Sequence, residues 1–85
     1  MGSYIIRIRD PAEQWLRRYD KAIQQKFAKK IRKLKETPEV HGKPLRAPLH
    51  GIWELYFEKK FRIYYSIDKA REIVYIEGIY HKDEC

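Results

Sequence analysis

Arg62 stands inside an otherwise apolar run, Phe61-Arg62-Ile63-Tyr64-Tyr65, and His81 closes a second such run in Tyr80-His81-Lys82. A planar guanidinium can give two parallel hydrogen bonds to a phosphate, which makes Arg62 a candidate phosphate clamp. An exposed Arg paired with Glu54 on a neighbouring strand accounts for the same residue equally well. A histidine side chain suits general acid or base work near neutral pH, although a lone surface His is more often inert. Lys82 adds charge at the same phosphate or is plain tail. Glu54 serves as a base if it lies close to His81, or it neutralises Arg62. These types supply what RNA cleavage needs without a metal: a base for the 2′-hydroxyl, an acid for the 5′ leaving oxygen, and a cation for the charge at phosphorus.

Other chemistries have no signature. The chain lacks a Gly-rich phosphate loop, a nucleophile elbow and a dinucleotide fingerprint. His41, His50 and His81 have neither the spacing nor the acidic company of a zinc site, so neither cofactor nor metal is expected. The single cysteine, Cys85, excludes a disulfide framework. No apolar run reaches the roughly 18 residues of a membrane span, and the N-terminus lacks a signal-peptide block. The expectation is one domain over 1–85, basic, cytoplasmic and away from membranes.

Charge narrows the partners. Nineteen Lys+Arg against twelve Asp+Glu leave a formal charge of +7 on 85 residues, which favours an anionic partner. The densest cluster spans Asp20–Glu36, with Lys21, Lys26, Lys29, Lys30, Arg32, Lys33 and Lys35. It reads as the solvated face of an amphipathic helix, or as a face for nucleic acid or an acidic protein. A second set, Lys43, Arg46, Lys59, Lys60, Arg62 and Lys82, converges only through folding.

The elements that must position these residues follow from period and punctuation. Tyr4–Arg9 alternates as a strand, with Tyr4, Ile6 and Ile8 on one face. Asp10-Pro11 opens a helix, with Asp10 as N-cap, and Ala12, Trp15, Leu16 and Tyr19 recur at helical spacing. Asp20 caps a second helix whose stripe is Ile23, Phe27, Ile31 and Leu34, ending at Thr37-Pro38. Two helices joined this closely form an antiparallel hairpin. His41–Gly51 has no periodicity and reads as a loop.

From Ile52 the period becomes two. Trp53, Leu55 and Phe57 make one apolar row, and Phe61, Ile63, Tyr65 and Ile67 the next, with a turn at Glu58-Lys59-Lys60. Asp68–Arg71 is a second turn and Glu72–Tyr80 a last strand. The expected fold is α+β, in the order β-α-α-β-β-β, with the helix hairpin on one face of a mainly antiparallel four-stranded sheet. Its open face receives Glu54, Tyr56, Glu58, Arg62 and Tyr64, with Arg7 and Arg9 from the first strand. Val74, Ile76 and Gly78 go to the core, leaving Tyr75, Glu77, Ile79 and His81 on the open face. Tyr56, Tyr64 and Tyr80 stack on bases or pack within the sheet.

Gly42-Lys43-Pro44-Leu45, Leu49-His50-Gly51-Ile52-Trp53, Phe61-Arg62-Ile63-Tyr64-Tyr65 and Tyr80-His81-Lys82 together resemble the RelE/ParE toxin superfamily, nearest its RelE and YoeB-type mRNA interferases. The resemblance runs over nearly the whole chain. It implies a ribosome-dependent endoribonuclease that cuts mRNA in the A site and leaves a 2′,3′-cyclic phosphate. It also implies a RelB-like antitoxin from a neighbouring gene, through which the complex binds operator DNA. On this reading Arg62 is the phosphate-binding Arg, His81 the general acid, Lys82 an added charge and Glu54 a base. Lys43, Arg46, Tyr56, Lys59, Lys60, Arg7 and Arg9 would contact ribosome and mRNA.

Three departures accompany the resemblance. Glu54 and Tyr56 stand on the strand where RelE carries catalytic lysines. The loop acid of YoeB-like members has no match around Leu45-Arg46. The chain ends at Cys85, short of the RelE C-terminal catalytic Tyr, from which a weakened enzyme is expected. A ParE-like poison of DNA gyrase, or a basic RNA-binding module whose chemistry has decayed, remain the alternatives.

Overall fold

The computed structural model describes residues 3–84, so Cys85 lies outside the described residues. Five strands, β1 (Ile5–Ile8), β2 (Lys43–Pro44), β3 (Trp53–Phe57), β4 (Phe61–Asp68) and β5 (Ile73–His81), form one sheet in the order β1-β5-β4-β3-β2. The β1–β5 pair is parallel and the others are antiparallel. Helices α1 (Asp10–Leu16) and α2 (Lys21–Arg32) supply the apolar stripe that covers one face, and a four-residue helix α3 (Pro38–His41) follows.

The α+β class and the order of the main elements agree with the sequence reading; the strand count does not. The fifth strand, β2, is two residues long and contains Pro44, too short and too irregular to show periodicity. Helix α1 begins one residue early: Arg9 is its N-cap, and Asp10 is its first helical residue, where a carboxylate favours the helix dipole. Asp20 does cap α2, accepting a 3.0 Å hydrogen bond from the Ile23 amide. Between the helices, the Gln24 side chain donates to the carbonyls of Leu16 and Tyr19 at 2.9 and 3.0 Å, satisfying acceptors that the end of α1 leaves open. Thr37-Pro38 ends one helix as expected, but Pro38 then starts α3, the position where its missing amide costs nothing.

The core lies between the helices and the inner face of the sheet. Phe27, Ile31 and Leu34 meet Leu55, Phe57, Phe61, Ile63, Tyr65, Val74, Ile76 and Ile79. Phe61 is an aromatic hub, 4.8 Å from Trp15 and 5.6 Å from Tyr19, both nearly edge-on. The β3–β4 turn is tight although it has no glycine, and Glu58 and Lys59 both take positive φ, 52° and 62°.

Tyr65 links this core to the segment before the sheet. It is fully buried, and its hydroxyl donates to the Pro38 carbonyl at 2.7 Å, which fixes α3 against β4. A β-carbon on Gly42 would collide with that hydroxyl and come within 2.9 Å of the Glu54 carbonyl oxygen. Gly42 thus lets β2 approach β3 closely, which brings Lys43 opposite Glu54.

Burial, with Glu39 adding to it, pushes the Tyr65 hydroxyl up from 10 to about 12. The folded state therefore holds this proton longer than the unfolded chain does. Its contribution is complete below pH 10 and disappears as pH rises from 10 to 12, a loss of roughly 2–3 kcal/mol. Tyr65→Phe should start about 1–3 kcal/mol less stable at pH 7, with the Pro38 carbonyl left buried and unpaired. Urea unfolding from pH 8 to 12 should show the alkaline decline much reduced in this variant.

Candidate nucleic-acid interface

Strand β4 is central, with neighbours on both sides, and its alternation divides the two faces. Phe61, Ile63 and Tyr65 are buried, while Arg62, Tyr64 and Ser66 point to the open side. Register then sets Tyr56 of β3 and Tyr80 of β5 directly opposite Arg62. The Arg62 guanidinium carbon lies 3.9 Å from the centre of the Tyr56 ring, and Nη1 donates to the Phe61 carbonyl at 3.2 Å. Stacking of this kind holds the guanidinium plane without neutralising it. Lys43 Nζ stands 5.4 Å from the same ring. Arg62 thus sits on an aromatic support beside a second cation, rather than in the pair with Glu54 that the sequence allowed. Among the described residues, Glu54 takes part in no ion pair.

Strand β5 departs from the expected alternation. Tyr65 pairs with Ile76 but Tyr64 pairs with Gly78, so Glu77 is an extra residue, a bulge. The parity of everything after it is reversed. Gly78 and Tyr80 go to the open face, while Ile79 is buried and His81 stands opposite Phe61 on the helix side. The assignments of Ile79 and His81 to the open face are corrected accordingly, and Gly78, although buried as expected, lies on the open face beneath Tyr80. A β-carbon on Gly78 would lie 2.7 Å from the Tyr80 ring, so that ring rests over the glycine backbone. From there it contacts Tyr64 at 5.5 Å. The apolar spacing carries a signal of this: Val74, Ile76 and Ile79 are separated by two and then three residues, beside a glycine.

His81 meets the Phe61 ring edge-on at 5.7 Å and keeps about a third of its side chain exposed. Its Nδ1 accepts from the Asp83 amide at 3.2 Å when unprotonated, and faces the Asp83 carboxylate at 3.5 Å when protonated. By strand geometry Glu54 and His81 are three residues apart along β4 and two strands apart across it, about 14 Å between backbones. They do not meet. Arg62 lies between them.

The amide of Lys82 donates to the Lys60 carbonyl at 2.7 Å, closing the end of β5 onto the β3–β4 turn. Lys59, Lys60, His81 and Lys82 therefore gather at the end of the sheet that carries Arg62. Arg46 lies apart, on the exposed loop after β2. Arg7 and Arg9 belong to the opposite edge, on or just after β1. The lysines of α2 and its C-cap line a separate groove of about 250 Å³, where Lys26, Lys29, Lys30 and Lys33 surround Phe57 and Glu58. Among the described residues, no three His, Cys, Asp or Glu side chains are grouped as a metal site requires, and no helix is long and apolar enough to cross a membrane.

Comparison with known proteins adds to this geometry. Residues 14–84 match the family model described as Phage derived protein Gp49-like (DUF891). None of the curated proteins matches the chain. Among solved structures, the chain is similar to one in the RelBE2 toxin–antitoxin complex from Mycobacterium tuberculosis. The TM-score is 0.82 at 26% identity, over 96% of this chain and 94% of that one. The free RelE toxin from E. coli, in a mutant form, shares the fold with a TM-score of 0.78 at 15% identity, over 96% and 86%. A YoeB/ParE toxin from Agrobacterium tumefaciens gives 0.78 at 17% identity, over 91% and 96%.

Gly78→Ala should force the Tyr80 ring off the sheet and separate it from Tyr64 while leaving the inner core intact. A crystal structure or the ring-proton NMR shifts of Tyr64 would show it; unchanged shifts would contradict the described packing.

Proposed function

Because the chain belongs to the Gp49-like family of phage-derived proteins, within the RelE/ParE toxin superfamily, we propose that it is the toxin of a type II toxin–antitoxin system, an endoribonuclease that cuts mRNA in the ribosomal A site. The observation that carries this reading is Arg62, stacked at 3.9 Å on Tyr56 and bordered by Lys43, Tyr64 and Tyr80 on an open sheet face. Aromatic and guanidinium planes suit unstacked bases, and the cations suit the phosphates between them.

The chemistry follows from the order of the groups. With the scissile phosphate on Arg62, Glu54 lies to one side and His81 to the other. Attack by the 2′-hydroxyl expels the 5′ oxygen from the opposite side of phosphorus, so base and acid work best apart. Glu54 takes the 2′-hydroxyl proton, and His81, reached round the end of β5, gives one to the leaving oxygen. The oxygen–phosphorus bond to the 5′ oxygen breaks as the one to the 2′ oxygen forms, leaving a 2′,3′-cyclic phosphate and a 5′-hydroxyl. Arg62, with Lys82, stabilises the negative charge of the pentacovalent phosphate. Because Glu54 projects from the open face and His81 from the helix side, the two flank the phosphate only once the His81 ring swings round the end of β5.

Lys59, Lys60, Lys43 and Arg46, with the lysines of α2, hold ribosomal RNA by charge. The partner is a RelB-like antitoxin, which masks this basic surface and carries the complex to operator DNA. Such a toxin works in the cytoplasm.

Arg62→Ala should lower cleavage of mRNA on programmed ribosomes roughly ten- to a thousandfold, as expected for loss of a transition-state electrostatic contact. Primer extension on wild type, Arg62→Ala and His81→Ala would measure it. Normal cleavage by folded Arg62→Ala protein removes the role given to that residue. Growth arrest with DNA damage and intact mRNA, surviving both changes, points instead to gyrase poisoning in the manner of ParE.

A further inference from the structure

A second stacked arginine lies across the same sheet face, away from Arg62. Arg9 follows β1, and its guanidinium carbon sits 4.2 Å from the centre of the Tyr75 ring. Its Nε meets Glu77 at 3.0 Å, and the other Glu77 carboxylate oxygen accepts from the Ser66 hydroxyl at 2.6 Å. Glu77 is the bulge residue, so the feature that turns Tyr80 towards Arg62 also delivers the carboxylate that orients Arg9. Arg7 stands opposite Tyr75 in the register, which puts two guanidinium-bearing residues beside one aromatic ring. A cavity of about 350 Å³ opens between Arg7, Arg9, Pro11 and Tyr75.

A purely structural clasp is a weak explanation for this cluster. Backbone bonds already hold this edge: the Ile5 amide donates to the Glu72 carbonyl at 2.9 Å, and the Arg9 amide to Ile76 at 3.0 Å. The Arg9–Glu77 pair is exposed enough, 51% and 29%, for water to screen most of its strength. What it does achieve is orientation: with Nε engaged and one face on Tyr75, the guanidinium is held in place while about half of the side chain stays open to solvent.

We propose that Arg9, Tyr75 and Arg7 form a second nucleotide subsite, in which a base of single-stranded RNA stacks on the outward face of the Arg9–Tyr75 pair while Arg7 meets its phosphate. The spacing fits a strand that also reaches Arg62. Ser66, four residues beyond Arg62 on β4, pairs with Tyr75, and Tyr56 lies two strands away on β3, so the two stacked arginines' supports lie about 16 Å apart. Stacked bases rise only ~3.4 Å per step, so a strand splayed to about 8 Å per step covers the distance in two steps. Tyr64 and Tyr80, in contact midway, offer the platform for the base between. Three platforms in a row thus take three successive nucleotides. This rests on the sheet face being an RNA interface, but its test does not depend on cleavage.

The test uses ribosomes programmed with mRNA made uncleavable by a 2′-deoxy nucleotide, carrying 4-thiouridine at single positions in and next to the A site. Crosslinked peptides are mapped by mass spectrometry. A position two nucleotides from the one that crosslinks near Arg62 should crosslink to the Tyr75 segment. Tyr75→Ala and Arg9→Gln should each weaken that crosslink roughly five- to a hundredfold, as loss of one base-stacking contact does, while the Arg62-end crosslink persists. Tyr75→Phe should retain it. An Arg62-end crosslink without one at Tyr75, or one that survives both variants, overturns the subsite alone. No crosslink to any sheet-face residue overturns the subsite and the RNA reading of the face together.

Discussion

The structure depends on how strand β4 is held. With β3 on one side and β5 on the other, it cannot slide without moving Phe61, Ile63 and Tyr65 out of the core. The same pleat forces Arg62, Tyr64 and Ser66 outward, and register on both sides selects what stands beside them. Arg62 therefore acquires Tyr56 from one neighbour and Tyr80 from the other. A cation on a rigid strand, stacked rather than ion-paired, retains its charge for a ligand, which surface ion pairs on flexible side chains do not. The bulge at Glu77 completes the arrangement by reversing the parity of β5 halfway along.

Much of this was legible in the sequence because it follows from periodicity. The alternation of Trp53, Leu55 and Phe57 and of Phe61, Ile63, Tyr65 and Ile67 set both strands and their buried rows. The Asp20 cap and the Ile23-Phe27-Ile31-Leu34 stripe set α2, and Arg62 stood out as a charge in an apolar strand. Two features were hidden for different reasons. Strand β2 has only two residues, and it pairs because Gly42 permits close approach under Tyr65, a tertiary contact with no local signature. The bulge changes the period from two to three at one point, so continuing the alternation through Gly78 sent Ile79 and His81 to the wrong face and left Tyr80 unassigned beside Arg62. Whether Glu54 and His81 approach each other was open in the sequence, because their distance depends on strand order and register, which set them about 14 Å apart.

On the proposed function, charge and stacking divide the work of recognition on this surface. The α2 lysines form a broad field around a shallow groove and carry no base information, so they suit long-range attraction and orientation on ribosomal RNA. The sheet face has fewer cations, each held against an aromatic ring, which suits unstacked bases read one at a time.

The central claim is that the scissile phosphate rests on the open sheet face at Arg62. The most direct measurement is the structure of the protein on a ribosome whose A-site codon carries a 2′-deoxy nucleotide at the cut. The account predicts a phosphate oxygen about 3 Å from the Arg62 guanidinium, with Glu54 and His81 on opposite sides of the phosphorus. An mRNA lying along the lysine face of α2, with the sheet face turned away, would contradict it.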